Sequence, residues 1–108
     1  MILFFKLIIA HAITDWALQD RFMAMYKSRH NREGLDKAHW CIWPYAMSSH
    51  CLVNSGGVWI VTDSPVCAFV EFVLHWIIDF AKCEKKINLH VDQFLHVACK
   101  LVYCFFLL

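Results

Sequence analysis

Charge is scarce in this sequence. Charged residues make up 18 % of the 108 residues and the formal net charge is +1, so the chain has no basic face of the kind that holds nucleic acid. The lysines and arginines that exist gather in short connecting segments. The six cysteines (Cys41, Cys51, Cys67, Cys83, Cys99, Cys104) are spread along the chain with no Cys-x-x-Cys pair, which points to reduced, structural thiols rather than a disulfide framework or a thiolate metal site. The first ten residues carry neither a basic leader before the apolar run nor an Ala-x-Ala cleavage site, so a retained helix is expected over a cleaved signal. There is no internal repeat, no low-complexity tract, and no serine or cysteine nucleophile motif.

What the chain has in excess is apolar surface. Sixty per cent of it is hydrophobic, against about 45–50 % in an ordinary soluble domain. A single domain over residues 1–108 has too little interior to hide that much. The expected fold is therefore an all-α, four-helix transmembrane bundle with short loops and spans at about 1–20, 38–54, 65–82 and 89–108; a soluble helical bundle is the alternative. Pro44 is expected to kink the second span and Gly56 with Gly57 to end it, leaving Val58 to Val61 at the interface. Thr62 to Pro65 reads as a helix start, and Asp36 and Asn88 as caps. The first and third loops are basic and the second has no Lys or Arg, which by the positive-inside rule puts both termini outside.

The polar residues inside these oily segments recur at helical spacing. Glu71, His75, Asp79 and Lys82 fall within an arc of about 80° on one helix. His11 with Asp15, and Asp92 with His96, repeat the i, i+4 device on two other helices, and His50 lies well along the second. Counted at about 1.5 Å per residue, the three pairs converge on one layer. Ionisable groups among apolar helices are costly, and their default explanation is a functional interior. Residues at i and i+4 can bind one ion together, and borderline ions such as zinc accept imidazole and carboxylate. Two readings compete with a metal: hydrogen-bonded pairs that hold helices together, and an ion or proton path. Glu71 reads as a partner for a neighbouring base, Lys100 as its potential partner, and Lys27 and Lys82 as side chains that reach out to phosphates.

The ordered set His11-x-x-x-Asp15-Trp16 with Gln19, Met23 and Lys27, then Ser49-His50, then Glu71-x-x-x-His75-x-x-x-Asp79-x-x-Lys82, then Asp92-Gln93-x-x-His96-x-x-x-Lys100, resembles a family of small polytopic membrane proteins of bacteria and their phages catalogued only as a domain of unknown function. The resemblance spans almost the whole chain. It implies a membrane-embedded helical bundle in the bacterial inner (cytoplasmic) membrane and supplies no activity.

The functional expectation is a divalent metal, zinc or another, held among His11, Asp15, His50, His75, Asp79, Asp92 and His96. Asp15, Asp79 and Asp92 are the candidate catalytic carboxylates. The ion would polarise a lipid-like ester or phosphate and activate water, a carboxylate off the metal would take the proton, and Lys27 and Lys82 would hold anionic head groups. The alternative is a non-enzymatic phage or bacterial membrane factor whose polar layer fixes helix packing or passes protons. Expected partners are membrane lipid, a second copy of the chain and a host membrane protein, with no nucleic acid.

Overall fold

The computed structural model describes residues 1–108, and every regular element in it is helical. Helix α1 (Ile2–His11) runs on into a π-helical turn (Ala12–Ala17), followed by the short α2 (Arg21–Tyr26). A 3-10 turn (Lys37–His39) leads to α3 (Trp43–Thr62), α4 (Pro65–Cys83) and α5 (Leu89–Val102), whose end widens into a second π-helical turn (Tyr103–Leu107). The all-α expectation holds, with five α-helices where four segments were expected.

The helix starts follow from capping chemistry. Asp20, Ser64 and Asn88 each accept the backbone N–H three residues on, at 2.8, 3.2 and 2.8 Å. Asp36, expected to do the same, instead turns its carboxylate to the His39 ring at 2.5 Å. Pro44 does not kink a helix: it occupies the first turn of α3, where the missing N–H has no intrahelical partner to lose. Nor do Gly56 and Gly57 end α3, which continues through Val58 to Val61 and closes at Asp63 in a left-handed conformation with φ 53°. Glycine within a helix costs about 1 kcal/mol, and packing offsets it here. A Cβ on Gly57 would lie 2.9 Å from Thr14 Cγ2, so its absence lets α3 close on the π-helical turn. The two-residue link to α4 makes α3 and α4 antiparallel neighbours, and theirs is the most extensive helix pairing in the protein.

The interior of this bundle is polar and its exterior apolar. Of 23 buried residues only nine are hydrophobic, and a small apolar cluster of Leu7, Val58, Cys67 and Tyr103 packs at one end. The buried remainder includes Asp15, Lys27, His50, Glu71, His75, Asp79, Asp92, His96 and Lys100, whereas Phe5, Ile60, Phe69, Phe94 and Phe106 are exposed.

The helices correct the expected membrane placement. No helix is long and apolar enough to cross a membrane, which overturns a polytopic inner-membrane protein with both termini outside. Helix α1 has 10 residues and α5 has 14, short of the roughly 20 that a span needs. Helix α4 has the length, at 19 residues, but carries Glu71, Asp79 and Lys82, and α3 spends its 20 residues partly on Ser, His, Asn and Gly.

Candidate metal centre

Three helices and the first π-helical turn aim their polar groups at one point. Helix α4 contributes Glu71, His75 and Asp79 from successive turns of one face, α3 contributes His50, and α5 contributes Asp92, His96 and Lys100. Asp15 comes from the π-helical turn, where Leu18 N–H donates to the Ile13 carbonyl at 2.8 Å, five residues back. Such a widened turn inserts one residue into the ladder and re-aims the side chains beside it, a device common at functional sites. Thr14 fixes it to α3 by donating to Asn54 Oδ1 at 2.8 Å.

At the centre, four ligand atoms from four residues meet. His50 Nε2 lies 2.9 Å from Asp15 Oδ1 and 3.2 Å from Asp79 Oδ2. His75 Nε2 lies 3.3 Å from Asp15 Oδ1, 3.5 Å from Asp79 Oδ2 and 3.2 Å from His50 Nε2. One N–H satisfies one acceptor, so hydrogen bonds alone cannot serve the three neighbours of His75 Nε2. A cation among the four would serve all of them. With bonds of about 2.0–2.1 Å, a tetrahedral ion sets its ligand atoms about 3.3–3.4 Å apart, close to these spacings. These buried His and Asp groups are thus placed to hold a metal ion.

The groups around the four orient them. His75 Nδ1 donates to Glu71 Oε1 at 3.1 Å, which points Nε2 inward; a carboxylate behind a ligating imidazole is the usual outer support of a metal-bound histidine. Glu71 in turn accepts from Lys100 Nζ at 2.7 Å and Tyr103 Oη at 2.5 Å. Asp79 accepts from Lys27 Nζ at 2.8 Å on Oδ2 and sits 3.0 Å from His96 Nε2 on Oδ1.

Of the seven ligands expected from sequence, Asp15, His50, His75 and Asp79 form this set. Asp92 and His96 form a second group with Asp15. Asp92 Oδ1 is buried with no hydrogen-bond partner, 3.4 Å from His96 Nε2. His11 joins no ligand group: its Nε2 pairs with Gln93 Oε1 at 3.0 Å and stands 3.6 Å from Asp15. Sequence reasoning missed Lys27, which does not reach outward but is buried against Asp79 with Gln19 Oε1 2.7 Å away. It also missed Gln93, whose amide donates to Asp15 and Asp92, both at 3.0 Å. The available signal was the ordered motif that already contained Gln19, Lys27 and Gln93.

The family described as Protein of unknown function (DUF3307) matches residues 3–107. The chain belongs to that family. No curated protein and no solved structure matches it.

In this DUF3307 protein, the electrostatics of the centre oppose burial. Burial disfavours ionised Asp15 and Asp79, yet hydrogen bonds from His50 and His75 hold both well below the usual carboxylate range. Glu71, also penalised by burial, is brought down to about 2 by His75 and Lys100. Burial likewise works against a charged His75, and its contacts with Asp15, Asp79 and Glu71 raise it to about 10. His11 moves the other way, lowered by burial and by the Lys100 charge. All six cysteines are free thiols, and burial raises Cys51 and Cys83 out of the range of a reactive thiolate.

Proposed function

We propose that this protein holds a divalent transition metal, zinc first among the candidates, between Asp15, His50, His75 and Asp79, and uses it to hydrolyse an ester or phosphoester. The observation that carries the reading is the meeting of two imidazole nitrogens and two carboxylate oxygens, with every nitrogen–oxygen and nitrogen–nitrogen separation between 2.9 and 3.5 Å. Four buried carboxylates (Asp15, Glu71, Asp79, Asp92) face two buried ammonium groups (Lys27, Lys100); the two remaining negative charges would be balanced by a divalent ion once His75, which without metal carries one positive charge, gave up its proton to become a ligand. Lys82, a quarter exposed, reaches Asp92 only at 3.7 Å.

The chemistry such an ion supplies is a water of lowered pKa and a polarised ester oxygen. The chain's own groups divide the remaining work. Asp92 Oδ1, buried without a hydrogen-bond partner and grouped with Asp15 and His96, would accept a proton from a water activated at the centre. Gln93 keeps Asp15 and Asp92 in register, and His96 spans Asp79 and Asp92, ready to pass a proton on toward the leaving oxygen. Lys27 holds Asp79 ionised and oriented through its 2.8 Å bond to Oδ2.

One observation favours a second reading, in which the ion only fastens the helices. Four protein ligands complete a tetrahedron, as in structural zinc sites, whereas a catalytic ion keeps or gains a position for water. Hydrolysis of p-nitrophenyl acetate and p-nitrophenyl phosphate by metal-loaded protein, wild type beside Asp92→Asn, separates the two. Turnover that falls by about 10²-fold or more in the variant at unchanged metal content supports the hydrolase. A metal-replete wild type with no turnover on either ester leaves the fastening role.

A further inference from the structure

Beside the centre opens a second polar feature, a cleft of about 400 Å³ between the segment after α2 and the end of α4. Lys27, Lys82, Lys85 and His30 line it together with Ser28 and Asn31; no carboxylate is among the lining residues, although His30 is itself paired with Glu84 at 2.5 Å. Its volume lies within the range of small-molecule sites, roughly 300–1,000 Å³. Lys27 is 3 % exposed and lines this cleft while bonding Asp79, so the cleft and the ligand set share a residue.

The charges are unevenly committed. Lys27 gives donors to Asp79 and Gln19, and Lys82 stands 3.7 Å from Asp92. Lys85 has no acidic partner at all within 4.0 Å. Its backbone is also unusual: φ is 61°, in the left-handed region, at the turn that ends α4. That turn is closed by Lys85 N–H to the Lys82 carbonyl and Lys86 N–H to the Ala81 carbonyl, both at 2.9 Å. Glycine is the residue such a helix end favours, and a lysine there costs roughly 1 kcal/mol. Lys85 thus places a side chain with no acidic partner at the lining of a cleft that also holds Lys82. Ser28 Oγ accepts the His30 N–H at 3.3 Å, which leaves its hydroxyl proton uncommitted.

We infer that this cleft binds a phosphate group and presents it to the adjoining centre, so that the substrate class is a phosphoester. The ammonium groups of Lys85 and Lys82, without a guanidinium fork and beside a Lys27 already committed to Asp79, suit a compact anion better than a planar carboxylate, because lysine acts on phosphate as a point charge. The inference rests on the metal-centre reading for the fate of the phosphate, and on binding alone for the cleft itself.

The test is titration of inorganic phosphate and of glycerol 3-phosphate into chelator-stripped wild-type protein, followed by calorimetry and ³¹P NMR. Lys85→Gly removes the ammonium and relieves the backbone, and Lys82→Ala removes the second charge at a quarter-exposed site, so both variants keep the fold. Each is expected to weaken phosphate at least tenfold, with Lys85→Gly melting no lower than wild type. Competition by phosphatidate vesicles but not phosphatidylcholine vesicles, at least tenfold more effective than glycerol 3-phosphate, makes the phosphate lipid-borne; the reverse order makes it a free metabolite. Phosphate bound equally by both variants, or bound only when metal is restored, overturns the cleft. Binding by stripped protein that takes up no metal upholds the cleft and rejects the metal centre, while metal uptake with no phosphate binding rejects the cleft and leaves the metal centre standing.

Discussion

His75 is held between Glu71 and His50: Nδ1 meets Glu71 Oε1 at 3.1 Å, and Nε2 meets His50 Nε2 at 3.2 Å. The first contact fixes the ring and its tautomer, and the second brings together two nitrogens that would each contribute a lone pair to an ion. Glu71 is thus a positioning residue for the centre.

Glu71→Gln keeps an acceptor for His75 but removes the charge that strengthens the imidazole as a donor to metal. Metal affinity is expected to fall by about 10–100-fold, and stability with it because Lys100 loses its counter-charge, so affinity is read where circular dichroism shows the variant folded. Competition against a chromophoric chelator, with circular dichroism as the control, reads both quantities.

Lys100 is 1 % exposed and bonded to Glu71 at 2.7 Å. Lys100→Met leaves Glu71 without its cationic partner, and breaking one side of a buried pair costs roughly 3–5 kcal/mol. Replacing both, as Lys100→Met with Glu71→Leu, should recover part of that loss. Urea unfolding checks the order; a Lys100→Met protein as stable as wild type would contradict the buried pair.

The two glycines of α3 should respond in opposite directions. Gly57→Ala forces a methyl to 2.9 Å from Thr14 Cγ2 and is expected to destabilise by about 1–3 kcal/mol. Gly56 has nothing within 4 Å, so Gly56→Ala is expected to stabilise by about 0.4–1 kcal/mol. Thermal melts of the two variants side by side decide it.

At the chain's surface, Glu84 engages Arg29 and His30, and the hydrogen bond from Arg29 holds its carboxyl below the ordinary value. A lowered carboxyl pKa stabilises the fold above its unfolded value of 4.5, and that contribution is lost as pH falls from there through the folded value. The melting-temperature gap between wild type and Glu84→Gln should therefore be present at about pH 6 and shrink steadily as pH falls below 4.5. A gap that widens in acid would contradict the assignment.

The i, i+4 spacing made Glu71, His75 and Asp79 legible as one polar face, and Asp92 with His96 as another, because helical periodicity alone fixes those neighbours. Which groups meet across helices depends on rotation and tilt, and there sequence reasoning lost the thread. His11 and Asp15 share the same spacing, yet the widened turn at residues 12–17 sends Asp15 to the centre and leaves His11 on Gln93. Lys27 lies 52 residues from Asp79, and nothing in local pattern announces that bond. The apolar excess suggested spans; its helices proved too short or too charged because the oil lies outside and the charge inside.

The most direct test of the central claim is elemental analysis of protein purified without chelator, wild type beside His75→Ala and Asp79→Asn. The account predicts about one equivalent of a transition metal per wild-type chain and less than about a tenth of that in either folded variant. Metal content equal in all three, or absent from a well-folded wild type offered zinc, manganese and iron in turn, would contradict it.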